Sequence, residues 1–381
     1  MSSHPTLRKF NKLGRRLARP DIMFYTMPYL MVLLIAGTLA QAEIGLYHAE
    51  RLFFASWILW VPFGVLPLSF PLPGGYAVMS VLFVNLLAKF LFGSTWSWRH
   101  SGTIVTHFGI LLLFIGAIFT SLTTREGFLL IPEGTGHNIV QSYHEDGLYI
   151  EQLAADGSVS SEIAALPYTD LYESQVMRLP GTPAQLRILE MCQNCDIAAA
   201  PEDPNRRGVA EKVALVPAPV LTAHEANLGG VTLEVSGLGN EQDGIYISTE
   251  AAPHPFMLHY GGATYQVQFR RAQSFLPFSV TLNEFDKTYH PGTGTARSYR
   301  SEIEVIDGAS RWPVTIQMNE PLRYRGYTFF QSSYAETPQG MATVLAVVEN
   351  RGWLFPYIAS AVIALGLMLH LLLRFSGRVR I

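Results

Sequence analysis

Apolar residues in this chain fall into two kinds of pattern. Four runs are apolar on every side of a helix: Met23–Ala42, Gly75–Phe92, Thr103–Leu122 and Trp353–Leu373. Each is close to the roughly 20 residues that a helix needs to cross a bilayer, so each predicts a spanning helix. Farther along, apolar and polar residues alternate. Val231, Leu233 and Val235 form one series; Tyr265, Val267 and Phe269 form a second; Phe278, Val280 and Leu282 form a third. Period-two alternation predicts strands with one buried face. Gly, Pro and Asn punctuate the runs, and the expected product is an antiparallel β-rich domain, sandwich-like in build. The stretch PEDPNRR, Pro201–Arg207, reads as an exposed loop that separates an earlier lobe from the strand-rich one.

A fifth apolar run, Leu52–Phe70, contains Pro62 and Pro67 and is followed by Pro71 and Pro73. Proline removes backbone donors that lipid cannot replace, so this run predicts a broken or interfacial segment. Charge supports that count. Arg8, Lys9, Lys12, Arg15, Arg16 and Arg19 precede the first span, and Arg374, Arg378 and Arg380 follow the last. With four spans both basic ends, and the short loop holding Arg99, lie in the cytoplasm; with five the C-terminal arginines would be expelled. Leu39–Ala42 (LAQA) resembles a signal-peptidase site, but the apolar run before it is long for a leader, so the first span reads as an anchor.

The expected layout is a multi-pass α-helical membrane protein of four spans with a large extracytoplasmic β-rich domain. Residues 1–21 form a basic cytoplasmic N-terminus. Residues 22–122 hold three spans, with the broken segment at 52–70 on the outer side and Trp57 and Trp60 near the headgroups. Residues 123–350 form the outer domain, 351–374 the fourth span and 375–381 a cytoplasmic tail. The membrane is the cytoplasmic (inner) one.

Composition agrees with a mixed design. The 381 residues are 49% hydrophobic and only 15% charged, with a mean hydropathy of +0.21. A net charge of -3 leaves no electrostatic footprint for nucleic acid. Two cysteines, Cys192 and Cys195, exclude a disulfide-dense scaffold. No GxSxG, Walker, HExxH or kinase signature occurs, and nothing resembles a hydrolase triad.

The candidate chemistry begins with histidines inside the spans. An imidazole in hydrocarbon costs free energy unless it is paired, ligated or turned to a protein interior. His107 lies in the third span, where Gly102, Gly109 and Gly116 recur at seven-residue intervals as a smooth seam for another helix. His107 is turned about 200° from Gly109, so it does not share that seam. His370 lies in the fourth span. His107 is roughly 8 Å inside from Gly102 and His370 roughly 6 Å inside from Arg374, both at the cytoplasmic ends. Two imidazoles at similar depth suggest a shared metal or haem site, or one ring in each of two environments; buried interface histidines are the plainer alternative. His48, His137, His144, His224, His254, His259 and His290 read as surface histidines, with no ligand spacing beyond the loose His254/His259 pair.

Cys192-Gln-Asn-Cys195 leaves alternatives open. Outside the cytoplasm the thiols are expected as a structural disulfide or inert pair, and a redox-active pair is the second reading. Zinc needs more ligands than are nearby, and Asp196 stands where covalent haem attachment requires histidine.

One stretch is more specific. MNEPLRYRGYTFFQSSY, Met318–Tyr334, reads as an edge strand, a turn at Arg325-Gly326 and an aromatic strand, Tyr327–Tyr334. With the upstream LNEFDKTYHPGTGTARSYRSEIEV, Leu282–Val305, it resembles the ResB (CcsB) family of cytochrome c biogenesis proteins. HFGILLL, His107–Leu113, and the order of three spans, outer domain and last span resemble that family too. The resemblance implies a component of the System II cytochrome c synthetase. Such proteins work with a CcsA-type partner that carries the tryptophan-rich haem-handling segment. Haem b would pass transiently from the cytoplasmic side outward, to be joined to the CxxCH of apocytochrome c. By its place in the span His107 looks like the family's membrane histidine for haem entry, with His370 matched by position alone; His107 would be one axial ligand of haem iron, with the second ring from the partner or from His370. Thiol reduction is usually assigned to separate thioredoxin-like proteins, so the CxxC departs from the pattern. No nucleophile or acid–base pair for thioether formation is visible, and the chain reads as a non-catalytic subunit. A b-haem electron-transfer subunit and a haem-free structural anchor are the rival readings.

Overall fold

A computed structural model describes residues 5–62, 69–251, 254–294, 296–337 and 340–378. The chain forms two compact units. One comprises the chain up to Arg125, Arg325–Tyr327 and the chain from Val348; the other comprises Glu126–Tyr324 and Thr328–Val347.

The first unit is helical. It contains α1 (Pro5–Leu17), α2 (Pro20–Ile44), α3 (Leu46–Ala49), α4 (Gly75–Ala88), α5 (Ser101–Thr123) and α6 (Phe355–Arg378). Among the described residues four helices are long and apolar enough to cross a membrane: Pro20–Ile44, Gly75–Gly93, Trp98–Thr123 and Phe355–Phe375. Their outward side chains stay large and apolar, as Leu39 and Leu122 show at 70% and 80% exposure; surface of that kind suits lipid rather than water. A small core of Leu33, Leu59, Val78 and Leu82 joins α2 to α4. Buried Asn85 of α4 donates from Nδ2 to the carbonyls of Leu17 (2.6 Å) and Arg19 (2.9 Å), satisfying acceptors left over where α1 ends.

The proline-rich run between the first two spans is not a helix in its described part. After a π-helical turn at Glu50–Phe54, strands β1 (Ile58–Pro62) and β2 (Ser69–Pro73) pair antiparallel, with Trp60 opposite Pro71. A two-stranded ribbon is all edge, which is where strand prolines are tolerated. Residues 63–68, including Pro67, lie outside the described residues, as do Arg380 and the end of the C-terminal tail.

The second unit is antiparallel β-structure, and it begins well before Val231. Its early strands are β3 (Arg125–Pro132), β4 (Gly136–Leu153), β5 (Val159–Pro167), β6 (Val176–Arg178), β7 (Gln185–Cys192), β8 (Cys195–Ala199) and β9 (Val213–Pro217). Next come β10 (Gly230–Ser236), β11 (Gly244–Thr249), β12 (Phe256–Tyr260), β13 (Ala263–Tyr289) and β14 (Ala296–Asp307). The last four are β15 (Ser310–Gln317), β16 (Leu322–Tyr324), β17 (Tyr327–Thr337) and β18 (Gly340–Glu349).

A ten-stranded sheet runs in the order β15-β14-β13-β4-β3-β18-β17-β16, with β12 added to β13 and β5 to β4. A four-stranded sheet, β11-β10-β7-β6, shares one core with it. Leu148, Val267 and Phe269 from the large sheet cluster with Leu186, Ile188 and Leu233 from the small one, all fully buried. That is the sandwich arrangement.

One boundary expected from the sequence is overturned. Pro201–Arg207 is a largely exposed loop, but it does not divide two lobes. Strand β7 before it pairs directly with β10 after it, Leu186 opposite Val235 and Met191 opposite Val231. A Pro-rich stretch reports that the chain leaves regular structure, not that the core ends there.

Candidate functional site

Helix α5 packs on α6 through its glycines. A Cβ at Gly109 would sit 2.7 Å from Cγ1 of Ile363, and Cβ atoms at Gly102 and Gly116 would overlap His370 and Phe355. The seven-residue glycine seam therefore marks a real close approach, and α6 is the helix that uses it. Gly102 lies against the backbone of His370, so this imidazole stands level with the start of α5. Its Nδ1 is 3.2 Å from Oγ1 of Thr103.

His107 lies one turn farther along α5 than Thr103, away from the glycine seam. Phe114, seven residues on, projects from the same stripe by helical geometry and meets Phe83 of α4 with ring centroids 5.8 Å apart. Phe108 meets Phe90 beyond the end of α4 at 6.2 Å. The His107 stripe thus faces α4, and the Lys89 ammonium acts electrostatically on the ring. The His107 Nδ1 is buried and makes no hydrogen bond, although the Thr103 carbonyl one turn earlier lies toward the ring. An orphaned buried nitrogen is a free-energy cost that a ligated or newly partnered ring would relieve. The two imidazoles of α5 and α6 share one end of the helix pair and occupy different faces.

Cys192 and Cys195 are joined by a disulfide, with Cα atoms 5.5 Å apart, at the turn from β7 into β8. Both are buried, at 7% and 4% exposure, among Ala210, Leu215 and Ile247. Asn194 inside the loop donates to the Pro219 carbonyl and accepts from the Leu228 amide. Thiol exchange requires an attacking thiolate to reach a sulfur, and these sulfurs are packed away.

His144 and His224, expected as surface histidines, are instead half-buried and close together. His144 of β4 and His224, which opens the short 3-10 turn His224–Ala226, stand with their Nδ1 atoms 3.4 Å apart. They border a cleft that also takes in Glu145, Asp146, Gln193, Glu250 and Arg271. Arg271 donates from Nε to Glu250 (3.0 Å) and from Nη2 to the Glu225 carbonyl (2.7 Å). Burial holds the carboxyls of Asp146 and Glu250 above the usual carboxylate range, against the pull of the Arg271 cation. An adjoining cleft of about 520 Å³ is lined by Phe128, Tyr143, Arg270, Arg271 and Ser332 among others. The signal available in the sequence was the run Tyr143–Gly147, which interrupts the alternation of β4 with polar residues. His259 bonds Thr264 across β12–β13 at 3.1 Å. Among the described residues no three His, Cys, Asp or Glu side chains are grouped so as to hold a metal.

Residues 259–352 match the ResB-like family. Protein NrfI of Wolinella succinogenes is 35% identical over 99 residues, which is 26% of this chain and 11% of that protein. Cytochrome c biogenesis protein CcsB of Picosynechococcus is 39% identical over 66 residues, 17% of this chain and 14% of the relative. CcsB of Crocosphaera subtropica is 39% identical over 75 residues, 19% of this chain and 15% of the relative. The matches thus span less than a sixth of each relative. The family region runs from β12 to the segment after β18 and carries Arg270, Arg271 and Ser332; His107, His370, the cysteines and the His144–His224 pair lie outside it.

Proposed function

From a chain that is ResB-like over residues 259–352, we propose that it serves cytochrome c biogenesis as a non-catalytic membrane component. Its relatives named CcsB are cytochrome c biogenesis proteins. In this reading it helps a CcsA-type partner take haem across the membrane and present it to the CxxCH of apocytochrome c. The basic termini lie in the cytoplasm by the positive-inside rule, and the β-unit lies outside. The observation that carries the site is the buried, unpartnered Nδ1 of His107 within the third apolar helix.

Haem is the cargo here, and imidazole is a common axial ligand for its iron. His107 fits that role because its ring is held in a low-dielectric helix packing with one nitrogen unsatisfied. His370 fits in a second way: the Thr103 hydroxyl orients it through Nδ1, the kind of support that leaves Nε2 to a metal. Because the two rings occupy different faces, each is expected to work with a group from the partner rather than as one bis-imidazole pair.

The test is co-expression with a CcsA-type partner, purification of the complex in detergent, and haem spectra with and without His107→Ala. The expected result is a bis-imidazole haem signal that His107→Ala abolishes and added imidazole restores. An unchanged spectrum with normal cytochrome c maturation would remove His107 from the haem route.

A further inference from the structure

The His144–His224 pair is held in place from both sides. Strand β4 follows β13 to Asp146, opposite Arg271, and rejoins it at Gln141, opposite Gln273. Between those points β13 uses Ala272 alone, whereas β4 spends Ser142, Tyr143, His144 and Glu145. A bulge of this kind lifts residues out of the ladder and re-aims their side chains. Its shape is pinned by the Ser142 hydroxyl, which accepts from the amides of His144 (3.3 Å) and Glu145 (3.1 Å).

The turn that carries His224 is fixed separately. Buried Asn227 donates from Nδ2 to the carbonyls of Leu221 and His224, each at 3.2 Å, and accepts the Leu221 amide at 2.8 Å. The next residue, Leu228, accepts the Cys195 amide at 2.9 Å, which ties the turn to the disulfide loop. Two irregular, stiffened segments 80 residues apart therefore point the same ring nitrogen at one place.

The spacing there is informative. At 3.4 Å the two Nδ1 atoms make a long hydrogen-bond contact, weaker than one at about 3.0 Å. A tetrahedral ion with metal–nitrogen bonds of about 2.05 Å holds neighbouring ligands about 3.3 Å apart. The rings meet at 66° with centroids 5.2 Å apart, so they converge edge to face instead of stacking.

We propose that His144 and His224 form a two-imidazole site for a borderline divalent metal ion of the Zn²⁺ class. The remaining positions are filled by water or by a donor from an incoming molecule, since among the described residues no third His, Cys, Asp or Glu is grouped with the pair. Arg271 already engages Glu250, which keeps that carboxylate away from the ion. With two protein donors preset, the site is open and exchangeable, able to accept a further donor from an incoming molecule.

The experiment uses the full chain, purified in detergent and stripped with chelator. Co²⁺ is titrated by its visible absorbance and Zn²⁺ by calorimetry, for the parent, His144→Ala, His224→Ala and the control His259→Ala, whose ring bonds Thr264. The expected result is a site that loses about tenfold or more in affinity in either His144→Ala or His224→Ala, and is unmoved in His259→Ala. Carbethoxylation of the unaltered chain gives a readout that needs no variant: Zn²⁺ should protect His144 and His224 together. Uptake equal to the parent in both variants, no uptake at all, or protection confined to other histidines would overturn the proposal.

Discussion

The helical unit and the β-unit both bring imidazoles to defined places, and they do so by opposite means. In the helical unit, position follows from periodicity. Gly102, Gly109 and Gly116 face α6, so the residue level with Gly102 on that helix, His370, is set by the packing itself; His107 falls on another stripe because 3.6 residues make a turn. In the β-unit, His144 and His224 meet because regularity fails: one sits in a bulge, the other in a short turn, and neither is placed by strand alternation. A regular element transmits a local pattern to a predictable position. An irregular one must be held by named hydrogen bonds, here those of Ser142 and Asn227.

The largest effect is expected where the helical arrangement has no slack. Gly102→Leu drives a side chain into the backbone of His370, and overpacking of this kind costs about 3 kcal/mol. A sharply lowered melting temperature for the detergent-solubilised chain is the expected outcome; an unchanged melt would mean that α5 and α6 do not approach as described.

A smaller loss is expected from the frame of the β-unit pair. Cys192→Ser with Cys195→Ser removes a short covalent loop, for which chain entropy gives about 2 kcal/mol. Urea unfolding should show that loss, and dithiothreitol should reproduce it in the parent. Equal stability of oxidised and reduced protein would strip the disulfide of its bracing role.

The smallest effect has the opposite sign. Burial raises the Asp146 carboxyl above its ordinary range, so the folded state binds this proton more readily than the unfolded chain. Its contribution is favourable below the unfolded value and is lost as pH rises through the folded one. At neutral pH the charged carboxylate is a penalty that Asp146→Asn removes. The variant should melt slightly higher than the parent at pH 7, with the gap closing toward the usual carboxylate range near pH 4. A lower melting temperature at pH 7 would show that a partner of the charge outweighs its burial.

Local composition decided much of this molecule. The four long apolar helices among the described residues, the glycine seam and the strands β10 and β13 follow from residue types within a few turns or one strand, although β10 buries Thr232 along with its apolar face. So does the turn at Arg325-Gly326, where both residues adopt positive φ (48° and 85°) between β16 and β17, as a tight hairpin requires. Each of these is a short-range property, legible because sterics and hydrophobic period act along the chain. What the tertiary structure alone decided is long-range: β7 pairing with β10 past a Pro-rich loop, α6 taking the glycine face of α5, and two histidines 80 residues apart meeting at a bulge. No local pattern encodes which segments share a core, because that choice is made by burial and hydrogen-bond satisfaction over the whole unit.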